Sequence, residues 1–176
     1  METQKWFVLR DLKRPNAKNP AWKMLPELSF EVFTPMRERL REVGGRKIRE
    51  TVPVLADLLF VKSTVPDLDE VMLGNPTLQY RFMRGFAYRT PMTVPDAEME
   101  TFIKAVKEAS HITYYLPDEL TPDMCGREIR VVDGPMQGHV GKILKLRGRS
   151  KPRLLVQLND ILIAAVEIDR NYIEFV

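Results

Sequence analysis

Apolar and polar positions predict a series of short strands in the first half of the 176-residue chain. A compact apolar run at residues 5–10 predicts the first strand. Alternation at residues 30–33 predicts the second. Residues 58–61, within the most apolar segment of the chain, predict a central strand, and residues 78–82 alternate again. These segments together indicate a sheet.

Helical spacing is clearest between residues 95 and 110, where four apolar residues recur at i, i+3, i+4 and i+7 and predict one buried stripe. These residues are Met99, Phe102, Ile103 and Val106. Residues 66–74 begin with a proline and acids and end on glycine, which predicts a second helix. A short helix at residues 20–25 follows an exposed loop over residues 11–20.

Residues 36–49 are highly charged, and Gly44 and Gly45 lie near their middle. Paired glycines between two extended segments are typical of a hairpin turn. The segment therefore predicts a two-stranded hairpin whose outer sides present arginines.

The second half changes character after residue 110. Residues 111–123 have no periodicity and contain two prolines, so we predict a linker there. Closely spaced short strands follow, with a turn at Asn159 and Asp160. These predicted strands are residues 127–133, 139–146, 153–158, 162–168 and 172–175. About fifty residues of such strands favour a small closed barrel.

Composition narrows the class of protein. The single cysteine, Cys125, excludes an internal disulfide and argues against a zinc site, and we expect no other metal and no cofactor. No apolar run approaches the ~18 residues of a membrane span, so a cytoplasmic, non-membrane protein is expected. His111 and His139 are isolated and no phosphate-binding loop is present, so we do not expect an enzyme.

The basic residues are clustered, although the net charge is only +3. One cluster lies in the predicted hairpin, between Arg37 and Arg49, and another runs from Lys142 to Arg153 without an acid. The third comprises Lys13, Arg14, Lys18 and Lys23. Each cluster alone fits a solvated surface, but three in one short chain favour contact with a nucleic-acid backbone.

Two blocks of sequence resemble a known family. In the second half, the run Asp133-Gly134-Pro135-x-x-Gly138 resembles a KOW motif. The first hundred residues resemble the N-terminal domain of NusG. That resemblance rests on Trp6-Phe7-Val8, Val32-Phe33-x-Pro35, the apolar residues 53–61, and Leu78-x-Tyr80-x-Phe82.

The resemblance implies an α+β fold: an antiparallel sheet with flanking helices, followed by an SH3-like all-β KOW barrel. The implied domains are residues 1–110 and 124–176, joined by the linker 111–123. It also implies a bacterial transcription elongation factor that binds RNA polymerase. The departures from the family's pattern described below favour a specialised member, and two alternatives to it remain. They are a housekeeping NusG and a KOW-type RNA-binding accessory protein of the ribosome or translation.

Departures from the family's pattern point toward a specialised member. The family's central segment usually contains Phe-Pro-Gly-Tyr, whereas this chain has Leu55-Ala56-Asp57-Leu58. The first helix is shortened by Pro20 and Pro26. Such divergence resembles operon-specific relatives, including antiterminators that suppress pausing and termination in surface or capsular polysaccharide operons.

The resemblance also assigns candidate binding residues. Phe33, Leu55, Leu58 and Phe60 match the positions that contact the polymerase clamp, although an apolar strand residue is also an ordinary core residue. Nontemplate DNA or nascent RNA would be met by basic residues near two loops, namely Lys13, Arg14, Lys18, Lys23, Arg81 and Arg84. The barrel implies a partner such as a small-subunit ribosomal protein or Rho.

Overall fold

The structure is a computed structural model that describes residues 2–14, 16–85, 89–145, 147–148 and 151–176. By residue contacts the chain forms two compact units, Met1–Asp96 and Ala97–Val176. Pro15, Leu146 and Arg149, which belong to segments interpreted above, lie outside the described residues.

The first unit contains seven strands and two helices within its described residues. They are β1 (Lys5–Asp11), α1 (Ala21–Glu27), β2 (Glu31–Phe33), β3 (Met36–Val43), β4 (Arg46–Pro53), β5 (Leu58–Ser63), α2 (Val65–Gly74), β6 (Leu78–Tyr80) and β7 (Thr93–Val94). Strand β1 is central, since β5 pairs along one edge and β6 and β7 share the other. Strand β2 extends the sheet beyond β5, and β3 and β4 form a separate two-stranded sheet.

Apolar residues on one side of the larger sheet form a core with α1 and α2. Its buried members are Phe7, Leu9, Ala21, Leu25, Leu59, Val61, Leu68 and Leu78. The α2 helix begins after Thr64, whose hydroxyl accepts a hydrogen bond from the Asp67 amide (3.4 Å). Pro26 lies in the last turn of α1, which therefore runs slightly past the predicted end.

The second unit contains one α-helix and six strands within its described residues. Helix α3 (Asp96–Glu108) begins at the last residue of the first unit. The strands are β8 (Ile112–Tyr115), β9 (Cys125–Val131), β10 (Val140–Leu144), β11 (Arg153–Leu158), β12 (Leu162–Glu167) and β13 (Ile173–Phe175). They form one sheet in the order β13-β9-β10-β11-β12-β8. Asn159, with φ +47°, lies in the turn between β11 and β12.

Strand β8 falls where the sequence predicts a linker. Ile112 to Tyr115 pair with Val166 to Ile163 of β12, and two short 3-10 turns follow at residues 117–119 and 122–124. Ile-Thr-Tyr-Tyr is composed of residues that favour strands. Four residues are too few for alternation to be visible, so the strand is defined by its pairing with β12.

The stripe predicted on α3 is present in part. Met99 and Phe102 are fully buried, whereas Ile103 and Val106 are half-buried. Ala105, which the spacing argument omitted, is buried and lines a small cavity of about 100 Å³ with Val131, Met136 and Val166 among others.

The described chain is α+β, as predicted, with three α-helices and antiparallel pairing throughout its sheets. None of the helices in the described ranges has the length and apolar character needed to cross a bilayer.

Candidate functional site

One side of the first unit's larger sheet collects three of the four residues predicted to contact polymerase. Phe33 and Phe60 are direct cross-strand partners whose ring centroids lie 6.2 Å apart. Leu58 lies two residues before Phe60 in β5 and therefore shares its side. Val8 of β1 is also a cross-strand partner of Phe60, and Trp6 shares the side of Val8. We call the side of the sheet that carries these five residues the Phe60 face. Helices α1 and α2 pack on the opposite side.

The four predicted contact residues differ in exposure. Phe60 is 0% exposed and Leu58 is 4% exposed, whereas Phe33 and Leu55 are half-buried. Leu55 lies in the turn before β5, where its carbonyl accepts a hydrogen bond from the Leu58 amide (3.2 Å). In this structure, therefore, Leu58 and Phe60 are core residues, and Phe33 and Leu55 are accessible to a partner.

Trp6 and Val8 were not predicted for the Phe60 face. Residues 6–9 are all apolar, and all four are buried. A strand buried on both sides shows no alternation that would assign its residues to one side or the other. Only the register of β1 with β5 reveals which of them accompany Phe60.

Four of the six predicted nucleic-acid contacts lie in the loop after β1 and in the short helix that follows it. Arg14, Lys18 and Lys23 are exposed and Lys13 is half-buried. The ammonium of Lys13 donates to the Asn19 carbonyl (2.8 Å), which ties the two ends of the loop together.

Asp11, a buried carboxylate at the end of β1, organises this loop. Its Oδ1 accepts a hydrogen bond from the Lys13 amide (3.1 Å), and its Oδ2 accepts one from the Ala21 amide at the start of α1 (2.6 Å). Asp11 is only 4% exposed, so these bonds satisfy a charge that would be costly to bury alone. Sequence reasoning missed Asp11 because a helix cap ten residues away has no local pattern.

Arg81 and Arg84 lie apart from the start of this loop. Asp11 pairs with Leu78 of β6, whereas the Arg81 amide donates to the Val8 carbonyl (2.9 Å). Three residues of strand, about 10 Å, therefore separate Arg81 from the start of the loop. Arg81 is half-buried, and Arg84 is exposed in the segment that follows.

In the second unit, the Asp133 to Gly138 motif forms a tight turn against Tyr172. Asp133 Oδ1 accepts a hydrogen bond from the Gly134 amide (2.7 Å), and the Gly138 amide donates to the Val131 carbonyl (2.8 Å). Both glycines have positive φ, +81° at Gly134 and +86° at Gly138. The motif has a geometric role that favours glycine at both positions.

The basic stretch from Lys142 to Arg153 is partly neutralised by an acid on β12. The Glu167 carboxylate lies 3.1 Å from Lys151 Nζ, 4.0 Å from Arg153 Nη2 and 3.8 Å from His111 Nδ1. The Lys151 hydrogen bond is the main reason that the pKa of Glu167 is lowered. Arg153 is buried and donates to Thr113 Oγ1 (3.2 Å), so neither Lys151 nor Arg153 is an unpaired surface cation.

Within the described ranges, no three or more His, Cys, Asp or Glu residues are grouped closely enough to hold a metal ion. Burial lowers the pKa of His139, which therefore adds no positive charge near neutral pH.

Comparison with known families identifies the class of protein. Residues 4–103 match the family model described as "Transcription termination factor nusG", a match that spans more than half of the chain. The chain belongs to the NusG family. NusG-family proteins are transcription factors that bind RNA polymerase and act in elongation and termination, and this chain is one of them. No curated protein matches the chain.

Proposed function

We propose that this protein suppresses transcriptional pausing and termination at particular operons, such as surface or capsular polysaccharide clusters. It binds the clamp of RNA polymerase through the first unit, in the bacterial cytoplasm. The family match over residues 4–103 carries the polymerase-binding part of this proposal. A factor that binds only the active, closed clamp shifts polymerase away from its paused state through that difference in affinity.

The edge of the Phe60 face supports a protein contact. Phe33 and Leu55 are apolar and half-exposed. Asp57 lies two residues after Leu55, and Arg10 of β1 is the cross-strand partner of Leu58. Arg10 and Asp57 form an exposed ion pair (3.4 Å). An apolar anchor beside charged groups is typical of protein–protein interfaces. We therefore assign Phe33 and Leu55 to clamp contact, with the buried Leu58 and Phe60 as core residues of the neighbouring strand β5.

The specialised role, as opposed to that of a housekeeping NusG, is favoured by the turn before β5. Leu55-Ala56-Asp57-Leu58 stands where the resembled pattern has Phe-Pro-Gly-Tyr. Asp57 accepts a hydrogen bond from the Asp11 amide through its carbonyl (3.0 Å) and pairs with Arg10 through its side chain. A glycine in place of Asp57 could keep the backbone hydrogen bond but would lose the ion pair with Arg10.

We propose that the second unit is an SH3-like KOW barrel that binds a further partner, such as a small-subunit ribosomal protein or Rho. The strand order β9 to β13 and the turn at Asp133 to Gly138 support this. We further propose that six cations contact nontemplate DNA or nascent RNA. They are Lys13, Arg14 and Lys18 of the loop after β1, Lys23 of α1, and Arg81 and Arg84.

Deletion of the gene followed by transcript mapping tests the operon-specific role. We expect one operon, or a few, to lose the transcripts of their promoter-distal genes while promoter-proximal levels stay unchanged. Loss of antitermination has this polarity because each terminator removes a further share of elongating polymerases. Global changes in transcription would contradict specialisation and support a housekeeping role.

The clamp contact is tested with Phe33→Ala and Leu55→Ala in the full chain. Each variant should weaken binding to core RNA polymerase by roughly tenfold, the equivalent of about 1.4 kcal/mol. Binding is measured by biolayer interferometry with immobilised polymerase. Leu73→Ala is the matched control, because Leu73 is 88% exposed in α2, on the other side of the sheet. If all three variants bind polymerase as tightly as the unaltered protein does, Phe33 and Leu55 are not part of the interface.

A further inference from the structure

A single buried side chain joins the two ends of the loop after β1. Asp11 is the last residue of β1, and the described residues of the loop are 12–14 and 16–20. One carboxylate oxygen of Asp11 accepts from the amide of Lys13, near the start of the loop. The other accepts from the amide of Ala21, the first residue of α1. The carboxylate therefore connects the segment before the loop to the segment after it.

Within the described residues, backbone amides alone satisfy this carboxylate. Asp11 is only 4% exposed, and no described cation forms an ion pair with it. Pro20, at the N-cap position of α1, makes no side-chain hydrogen bond to the helix, so Asp11 provides the acceptor that residue 20 lacks. A buried carboxylate is destabilised when it loses one of two donors, so the geometry favours keeping both.

The start of the loop is fixed by the backbone on both sides. The Asp11 amide donates to the Asp57 carbonyl in the turn before β5 (3.0 Å). The Leu12 amide donates to the Thr77 carbonyl just before β6 (2.9 Å). Two neighbouring segments of the first unit therefore hold the residue whose carboxylate closes the loop.

The far end of the loop is tied to this base by two hydrogen bonds between described residues. One is the bond from the start of α1 to Asp11, and the other runs from the Lys13 ammonium to the Asn19 carbonyl (2.8 Å). Arg14 directly follows Lys13, and Lys18 directly precedes Asn19. Both of these exposed cations are therefore adjacent to residues that the two bonds hold.

From this arrangement we infer that Asp11 is a positioning residue, which holds the loop in the conformation that presents Arg14 and Lys18 to a phosphate backbone. The inference rests on the proposed function, in which these cations contact nucleic acid. Asp11 does not itself touch the nucleic acid, because it is buried and carries the same sign of charge as a phosphate. It acts through order, since a loop that is already fixed loses less conformational entropy on binding.

This role predicts an effect of opposite sign to that of charge alone. Removal of the negative charge of Asp11 makes the region more positive, so charge alone predicts tighter binding of a polyanion. Asparagine has one acceptor oxygen, and its other terminal group is an NH₂ donor. It can therefore accept from the amide of Lys13 or of Ala21 but presents a donor to the other. One end of the loop is released, and positioning predicts weaker binding.

Limited trypsin digestion of the full chain tests the order of the loop without nucleic acid. Cleavage after Lys18 requires local opening of the backbone, so its rate reports how firmly the loop is held. Asp11→Asn should be cleaved there severalfold faster than the unaltered protein. Glu27→Gln is the matched control, because it removes the same charge from an exposed residue at the end of α1 and should keep the original rate. Equal rates in all three proteins overturn the inference.

Binding of a fluorescein-labelled single-stranded DNA, followed by anisotropy at constant salt without polymerase, tests what the order of the loop does. Asp11→Asn should bind about two- to tenfold more weakly than the unaltered protein, in spite of its more positive charge, because binding must then order the loop. Glu27→Gln should bind at least as tightly as the unaltered protein. If Asp11→Asn also binds as tightly or more tightly, charge alone governs binding and the inference is wrong.

A double variant separates the order of the loop from the stability of α1. Pro20 has extended backbone angles (φ −66°, ψ 158°), which suit a serine cap. Asp11→Asn with Pro20→Ser gives α1 a cap of its own but does not restore the connection between Lys13 and Ala21. Its midpoint of urea denaturation should rise toward that of Pro20→Ser alone, while cleavage after Lys18 stays fast and DNA binding stays weak.

Recovery of DNA binding together with stability in the double variant would mean that Asp11 is only a helix cap, and would overturn the inference. Failure of the unaltered protein to bind the DNA would contradict the nucleic-acid part of the proposed function. The trypsin digestion would still decide separately whether Asp11 orders the loop. None of these measurements contains polymerase, so the clamp contact is judged by its own variants.

Discussion

Phe60→Ala should lower the free energy of unfolding of the first unit by about 3–5 kcal/mol, the usual cost of removing a fully buried aromatic ring. Phe60 is 0% exposed and lies between Val8 and Phe33 across its two neighbouring strands. The truncation leaves a cavity in the middle of β5 that the paired backbone prevents from collapsing. Urea denaturation followed by tryptophan fluorescence measures the change, because both tryptophans, Trp6 and Trp22, are in the first unit.

Two controls separate a core role for Phe60 from a binding role. Phe60→Leu removes less volume and should cost less, and Leu40→Ala, at a residue 64% exposed in the hairpin, should change stability by less than about 0.5 kcal/mol. If Phe60→Ala keeps the stability of the unaltered protein but loses affinity for polymerase, Phe60 is a contact residue after all. A large loss of stability would leave Phe33 and Leu55 as the apolar contacts to test.

Most elements of the first unit could be predicted because each has a local signal, whereas the two-residue strand β7 (Thr93–Val94) was not predicted. Leu58 and Phe60 alternate with Leu59 and Val61, and the helix at residues 66–74 begins with a proline and ends on glycine. What could not be predicted was the use of each side. Both sides of β5 are apolar, so only its register with β1 shows that Leu59 and Val61 face α1 and α2.

Contacts between distant residues account for what the sequence left out. Asp11 accepts a hydrogen bond from the first residue of a helix ten residues away, and β8 is a strand through its pairing with an edge of β12. The apolar run from Leu162 to Ala165 is buried, and β12, which contains it, pairs with β11 on one edge and with β8 on the other. The β3–β4 hairpin shows the same limit: its charges are visible in the sequence, but the pairing register determines which of them share a face.

The second large effect is expected at Gly134, where alanine should destabilise the second unit by about 2–4 kcal/mol. The φ of +81° alone costs a non-glycine residue about 1–2 kcal/mol. A Cβ at this position would also lie 2.8 Å from Cε2 and 2.9 Å from Cδ2 of Tyr172. The ring must move or the turn must open, and opening the turn disrupts the hydrogen bond between the Val132 amide and the Tyr172 carbonyl (2.8 Å).

Gly138→Ala is the matched control, because its φ of +86° is similar but a Cβ there would meet nothing within 4 Å. It should therefore cost only the backbone term, about 1–2 kcal/mol. Amide hydrogen exchange of β9 and β13 measures both variants within the second unit. Equal losses would mean that the ring of Tyr172 yields freely and that backbone conformation alone favours glycine in the motif.

Tyr172→Leu completes a double-mutant cycle with Gly134→Ala. If the clash is with the ring, the double variant should be more stable than the sum of the single effects predicts, by roughly 1–2 kcal/mol. The same cycle with Gly138→Ala should show additivity, since no part of Tyr172 lies within 4 Å of a Cβ there. Coupling at Gly134 alone would identify the first glycine of the motif as the site where the turn packs on the C-terminal segment. Coupling at both would instead indicate a general loosening of the second unit.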